Sequence, residues 1–270
     1  MARNLVLGIA RNYALATVAP FLASLRRAAP DAALCLCADT LDAAFLQAVR
    51  ALGVQVFDPS PYDILPYHGM IARLFIYDGV LRQFGDRYDA VLLTDVRDVV
   101  FQSDPFAVPR AAEVLFAPED CLLRDSPLNM RWIAGVYGAA AAAEIGDNPI
   151  LCAGTVLGSV AGVRSYLADM IEQIETRSFD RGLNFDQGIH NYLAWALRPR
   201  YAAVDRDRRV IRTLGLTLAH RVELDGTTVR VDGLASPVLH QWDRHERLQA
   251  LIAGDPAFRL PDGIDAPTGA

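Results

Sequence analysis

Short apolar runs alternate with helix-length periodic segments through the first 120 residues, and this alternation constrains the fold more than any other feature of the chain. Asn4–Ala10, Ala33–Ala38, Val54–Phe57, Ala90–Thr94 and Ala112–Ala117 read as strands. Between them, Leu15–Arg27, Leu41–Leu52 and Met70–Phe84 read as helices, with Pro20 expected to kink the first. Asp39–Asp42 offers turn and capping residues, and 58–69, which contains Pro59, Pro61 and Pro66, reads as a loop. Strand–helix–strand spacing of this kind predicts one α/β domain built on a mainly parallel, mixed sheet with helices on both faces. Ligands of such sheets sit beyond the carboxyl ends of the strands, so the residues after Ala10, Ala38, Phe57 and Thr94 are where chemistry is expected.

The second half is less regular. Ile150–Gly158 reads as a strand, and Ala161–Glu175 and Asp186–Leu197 as helices. Val222–Leu224 and Val229–Val231 flank Asp225-Gly226, a hairpin signal. Pro237–Leu239 reads as a short strand and Asp243–Ala253 as a closing helix. The proline-, glycine- and aspartate-rich tail at 255–270 is expected to be partly disordered.

Composition removes several function classes. A net charge of −6 opposes a broad nucleic-acid surface, which needs clustered cations. The chain contains no lysine, so a Schiff-base lysine and a P-loop lysine are both excluded. Any phosphate clamp must therefore use arginine, backbone N–H groups or a metal. Cys35 and Cys37, two apart in a strand, should share one face, and no CxxC pair or zinc spacing occurs. The four cysteines are expected as small buried residues in a reducing compartment. Residues 5–25 are mostly apolar, but Arg11 and Asn12 interrupt them too early for a signal peptide or a membrane span. The expectation is a cytoplasmic protein whose first strand and helix lie here, with no transmembrane segment.

The most informative segment is Val91-Leu92-Leu93-Thr94-Asp95-Val96-Arg97-Asp98, an apolar strand running into two carboxylates. Their odd spacing would point them to opposite faces of a continued strand, so serving one ion requires a turn at Val96-Arg97. Paired carboxylates at a strand end suit a hard divalent cation that bridges a diphosphate. The alternative is that Asp95 caps a turn and Asp98 pairs with Arg97. A second short strand delivers His240 to its own end, and imidazole beside two carboxylates suits Mn²⁺ better than Mg²⁺ or Ca²⁺. His245 is a weaker rival placed on the closing helix. Asp186 opens a helix and can either cap it or stand near a reacting sugar carbon, with Gln187 reaching sugar hydroxyls. Cys152-Ala153-Gly154-Thr155 has the small residues that let backbone approach a ligand.

In this order the segments resemble the GT-A fold nucleotide-sugar-dependent glycosyltransferases. Asp95-Val96-Arg97-Asp98 is similar to the Asp-x-x-Asp metal motif of collagen-modifying glycosyltransferase domains, and Val114–Asp120 to the strand-plus-acidic segment that follows it. The resemblance implies Mn²⁺ (or Mg²⁺) on Asp95, Asp98 and His240, a nucleotide-sugar donor (UDP-sugar favoured), and a carbohydrate or other hydroxyl acceptor. It places Ala10, Arg11 and Tyr13 at the nucleotide base, with Arg73, Thr94 and Gly154 also on the donor. Asp186 and Gln187 match the Asp-Gln element. Residues 1–118 would form the donor half and 119–254 the acceptor half. Two departures stand out. Cys152 replaces the usual asparagine of the sugar-site stretch, and Gln241-Trp242-Asp243-Arg244 replaces Lys-Pro-Trp, leaving Arg244 to neutralise the departing diphosphate. The competing readings are a sugar nucleotidyltransferase, for which the Gly-rich loop and lysine are missing, and a non-catalytic sugar-nucleotide-binding protein of the same fold.

Overall fold

A computed structural model describes residues 3–38, 43–63, 65–67, 69–180 and 185–261. In chain order the elements are β1 (Asn4–Ile9), α1 (Leu15–Ala28), β2 (Ala33–Cys37), α2 (Ala43–Ala51), β3 (Gln55–Phe57), α3 (Gly69–Phe84), β4 (Ala90–Thr94), β5 (Val99–Phe101), β6 (Val114–Leu122), α4 (Pro127–Tyr137), α5 (Ala139–Ile145), β7 (Pro149–Ser159), α6 (Val160–Thr176) and α7 (Asp186–Tyr192). They continue as β8 (Ala202–Val204), β9 (Ile211–Thr213), β10 (Val222–Asp225), β11 (Thr228–Val231), β12 (Val238–His240) and α8 (Glu246–Gly254). The caps predicted at Asp39–Asp42 lie outside the described residues, as does the tail from residue 262.

A seven-stranded sheet runs in the order β3-β2-β1-β4-β7-β6-β8. The β3-β2-β1-β4 half is parallel, as the alternation predicts. β7 is antiparallel to both its neighbours, and β6 pairs in parallel with β8. Successive strand side chains face opposite ways, and the core divides accordingly. Leu5, Leu7, Cys35, Cys37, Val91 and Leu93 pack against α3 and α6, among them Tyr166 and Leu167. Val6, Leu34, Leu36 and Leu92 pack on the other side against α1 and α2, meeting Phe21 and Phe45. Cys35 and Cys37 thus share a face, and the cysteines are free. Each fully buried Leu or Phe contributes about 1.5–3 kcal/mol relative to exposure, so both faces are firmly covered.

Several elements differ from expectation. α1 continues through Pro20 without ending. Ala16, whose carbonyl loses its partner there, is exposed and open to water. The helix opened by Asp186 widens after Tyr192 into a π turn at Leu193–Leu197, which Arg198 ends at φ 51°. α4 and α5 carry no strong apolar period; five consecutive alanines open α5, so nothing in the pattern announces it. The predicted hairpin forms as β10–β11, with Gly226 at φ +58° in its turn.

A second, three-stranded sheet in the order β5-β12-β9 determines where the C-terminal half meets the first. β5 follows directly on Asp98 and pairs antiparallel with β12, placing His240 opposite Val99. β9 pairs in parallel on the other side, placing Thr213 opposite His240. Packing continues past α8 to Phe258, which is buried with Leu248 and Ile252. Among the described residues no helix is long and apolar enough to cross a membrane.

Candidate functional site

β4 ends at Thr94 and the chain bends at 96–98 before β5 starts, so Asp95 and Asp98 fall on one side. Gly8 on the neighbouring strand makes the bend possible: a Cβ there would lie 2.4 Å from Val96 Cγ1. Asp95 N–H donates to the Gly154 carbonyl at 2.8 Å, and Gln241 N–H donates to the Asp98 carbonyl at 2.8 Å. These two bonds hold the turn between β7 and the residue after β12. Gln241 takes a left-handed conformation (φ 58°), which directs the chain away once His240 is placed.

The three expected ligand groups therefore converge. His240 Nε2 stands 3.4 Å from Asp95 Oδ2 and 3.7 Å from Asp98 Oδ1, and one ligand atom from each residue lies within 4.8 Å of the others. Nε2 is fully buried and makes no well-formed hydrogen bond, although it is in ion-pair reach of both carboxylates. An orphaned buried nitrogen beside two carboxylates is a donor set suited to a divalent cation of borderline hardness. Gly154 completes the cradle: a Cβ there would sit 2.4 Å from Asp95 Oδ2 and 2.6 Å from His240 Cε1. Asp98 also fulfils the alternative reading, because Arg97 donates to its Oδ2 at 3.1 Å while Oδ1 faces the imidazole.

Arg73 and Asp186 form the inner wall. Arg73 donates to Asp95 Oδ1 at 2.6 Å, to Asp186 Oδ2 at 2.7 Å and to the Ala153 carbonyl at 3.2 Å. It is 5% exposed and Asp186 is 2% exposed, so this is a buried carboxylate–arginine–carboxylate chain. Burial works to raise the Asp95 pKa, but Arg73 and His240 outweigh it and hold the carboxyl below the usual range. For Asp186 burial wins over Arg73, and its pKa is raised. Burial opposes a charged imidazole at His240, yet the neighbouring Cys152 and Asp95 outweigh it and its pKa is raised.

Beside this group opens a cavity of about 420 Å³, lined by Ile9, Arg11, Tyr13, Arg73, Asp95 and Arg97 among others. Arg11 pairs with Asp63 at 2.8 Å on its rim. Ala10 is fully buried in the core beneath, its N–H bonded to the Cys37 carbonyl, so its flanking residues rather than its own side chain face the cavity. Thr94 is buried and its hydroxyl donates to the Asp95 carbonyl. Gln187 donates to Asn129 at 2.9 Å and also reaches Glu119. Arg244 lies apart from the lining, 56% exposed, with its Nε 3.6 Å from Asp243. His245, the residue before α8, donates its Nε2–H to the Leu214 carbonyl at 2.9 Å.

Two residues at the site carry no motif signal. Arg97 stands in the cavity wall, bound to Asp98 and, at 3.3 Å, to Asp243. Glu119, buried on β6, has its carboxyl pushed up to about 7 by burial, against the opposing pull of His240. Its place in an acidic strand segment hinted at relevance, but only the fold shows that it is enclosed.

No family model matches this chain, and no curated protein matches it. Solved structures do. The bifunctional glycosyltransferase WbbM superposes with a TM-score of 0.58 at 12% identity, over 94% of this chain and 50% of WbbM. The galactosyltransferase LgtC, in complex with donor and acceptor sugar analogues, gives 0.55 at 16% identity, over 96% of this chain and 98% of LgtC. The glycosyltransferase GlyE of Streptococcus pneumoniae TIGR4 gives 0.54 at 16% identity, over 89% and 55%. This chain thus spans about half the length of WbbM and GlyE. The shared architecture is the GT-A type of α/β fold.

Proposed function

We propose that this chain is a metal-dependent glycosyltransferase that moves a sugar from a nucleoside diphosphate sugar, UDP-sugar favoured, to an acceptor hydroxyl in the cytoplasm. One observation carries the reading: Asp95, Asp98 and the orphaned Nε2 of His240 come together at an open cavity that also holds Tyr13 and Arg11. The LgtC fold, which accommodates donor and acceptor sugar analogues in that protein, supports it.

Asp95, Asp98 and His240 would hold Mn²⁺, or Mg²⁺ less favourably. A bound ion of this kind supplies Lewis-acid stabilisation to a departing diphosphate. The remaining tasks belong to the chain. Arg73 fixes Asp95 and Asp186 against each other, so the ligand carboxylate is oriented before any donor arrives. Tyr13 and Arg11 present a ring and a cation to the cavity, suited to a base and a phosphate. Arg97, in the cavity wall beside Asp98, would offset charge on the leaving group, and Arg244 would add to it only by swinging in from solvent. Gln187, bonded to Asn129 and Glu119, would offer an amide to the sugar, and Glu119 a carboxyl that titrates near neutrality.

The test is release of nucleoside diphosphate from a panel of nucleotide sugars, with and without MnCl₂, alongside thermal melts. A donor at a hundred times its dissociation constant should stabilise the protein by about 2.7 kcal/mol. For a chain of this size that is roughly 5–10 °C in Tm. If no nucleotide sugar shifts the melt in the presence of Mn²⁺, the reading fails. Stabilisation without turnover would identify a binding protein instead, and pyrophosphate release from nucleoside triphosphate and sugar-1-phosphate a nucleotidyltransferase.

A further inference from the structure

The imidazole of His240 has two faces to account for, and the proposed function uses only one. Nε2 points between Asp95 and Asp98. Nδ1 lies 3.5 Å from the sulfur of Cys152 on β7, within hydrogen-bond reach for sulfur. Cys152 is 2% exposed, so its sulfur is held against the ring inside the protein. An imidazole can offer Nε2 to a metal only if that nitrogen carries a lone pair. In the neutral ring the proton then resides on Nδ1, which needs an acceptor. Metal-bound histidines almost always donate that second N–H to an acceptor, which fixes both tautomer and ring orientation. Among the described residues Cys152 Sγ is the partner within reach of Nδ1, and the histidine is 1% exposed.

We infer that Cys152 is a positioning residue: its sulfur accepts the Nδ1–H of His240, and so keeps Nε2 free as a metal donor between Asp95 and Asp98. The inference rests on the metal-binding reading above. The direction of this bond decides the site, since an S–H pointed the other way, donating to Nδ1, would put the proton on Nε2 and close it. The short backbone link strengthens the coupling. Cys152 is two residues from Gly154, whose carbonyl receives the Asp95 N–H, so one stretch of β7 supports both the histidine and the first carboxylate.

The measurement is Mn²⁺ binding, read from the loss of the free-ion electron paramagnetic resonance signal, with no donor sugar present. The proteins are the wild type, Cys152→Ser, Cys152→Val, Cys152→Ala and, as a control for the site, Asp98→Ala. Serine restores an acceptor but leaves volume unfilled; valine fills the volume and offers no acceptor. The expected result is a dissociation constant for Cys152→Ser within about 3-fold of wild type, and a weakening of about 10–100-fold for Cys152→Val and Cys152→Ala, the usual range for loss of an outer-shell partner. Melts without metal identify any variant that fails to fold, and Cys152→Ala stands in if valine is too large. Valine binding as tightly as wild type, with serine impaired, means that the cysteine merely fills space and overturns the inference. A wild type that takes up no Mn²⁺, or an Asp98→Ala variant that takes up as much, overturns the metal reading itself and the inference with it.

Discussion

Two carboxylate–arginine centres lie in this molecule, and they are built to opposite ends. At Asp120 the charge is closed. Arg208, Arg212 and Arg221 approach its oxygens at 2.9, 2.6 and 3.4 Å, and the Thr217 hydroxyl donates at 2.5 Å. Its side chain is 7% exposed, so the carboxylate has its partners and no outlet. At Asp95 the charge is left open. Arg73 takes one oxygen, and the other faces an orphaned imidazole nitrogen and a cavity, with the side chain 28% exposed. Three aspartates, 95, 98 and 186, share Arg73 and Arg97 there. The difference teaches that arginine pairing alone does not mark a functional centre; unused ligand capacity turned toward open space does.

Replacing the central charge breaks the two centres differently, and these are the largest expected effects. Asp120→Ala should lower stability by about 3–5 kcal/mol, because it strands the buried Arg212 guanidinium, and should leave Mn²⁺ affinity nearly unchanged in whatever fraction folds. Arg73→Ala should cost a similar amount by freeing Asp186 inside the protein, and should disturb Mn²⁺ binding as well. Chemical denaturation paired with Mn²⁺ titration separates the two; equal losses of metal affinity would erase the contrast.

Asp98→Ala tests the open centre by itself. Several kcal/mol of charge stabilisation depend on the ion it would hold, so donor turnover should fall by about 100-fold or more while the melt stays near wild type. Near-normal turnover would remove Asp98 from the ligand set.

Much of this contrast was legible beforehand and part was not. Asp95 follows the apolar run of β4, a position the parallel half of the sheet makes meaningful, Asp98 stands three residues on, and His240 ends a second short apolar run. Arg73 could be placed on its helix, but its two-carboxylate tie could not, since Asp186 lies more than a hundred residues away. The Asp120 arginines are scattered over β9 and the loops around it, where no period or motif connects them. β5 and β9 are three residues each, too short for alternation to register, yet they are what bring His240 to its place. Glu119 and Arg97 differ from many other charged residues only by enclosure or by the cavity they face, which are properties of the folded chain.

Gly154→Ala should be milder for stability, about 1–3 kcal/mol from overpacking, yet severe for the metal, since the added carbon meets both Asp95 and His240. A melt lowered by that amount with Mn²⁺ uptake intact would show that the cradle yields easily.

The smallest effect is expected at Glu119. Its carboxyl titrates near 7 in the folded protein against an ordinary value near 4.5, because burial disfavours the charged form. The folded state therefore holds a proton that the unfolded chain has released, and stability present below about pH 4.5 is lost as pH rises through about 7. Glu119→Gln removes this dependence. Relative to wild type it should gain stability at pH 8 compared with pH 5, because the glutamine has no proton to lose. Parallel melting curves across that range would show that the carboxyl is already relaxed by solvent.

The small sheet that sets β12 between β5 and β9 has a consequence for how the protein matures in time. The N-terminal α/β half can acquire its own core as it leaves the ribosome, in the order in which domains generally fold during synthesis. The imidazole that completes the ligand trio, however, is made some 140 residues after the second aspartate. A truncated or nascent chain would carry two carboxylates and no third donor. Gathering the three groups thereby waits on synthesis of the chain through β12, well after the two aspartates themselves are made.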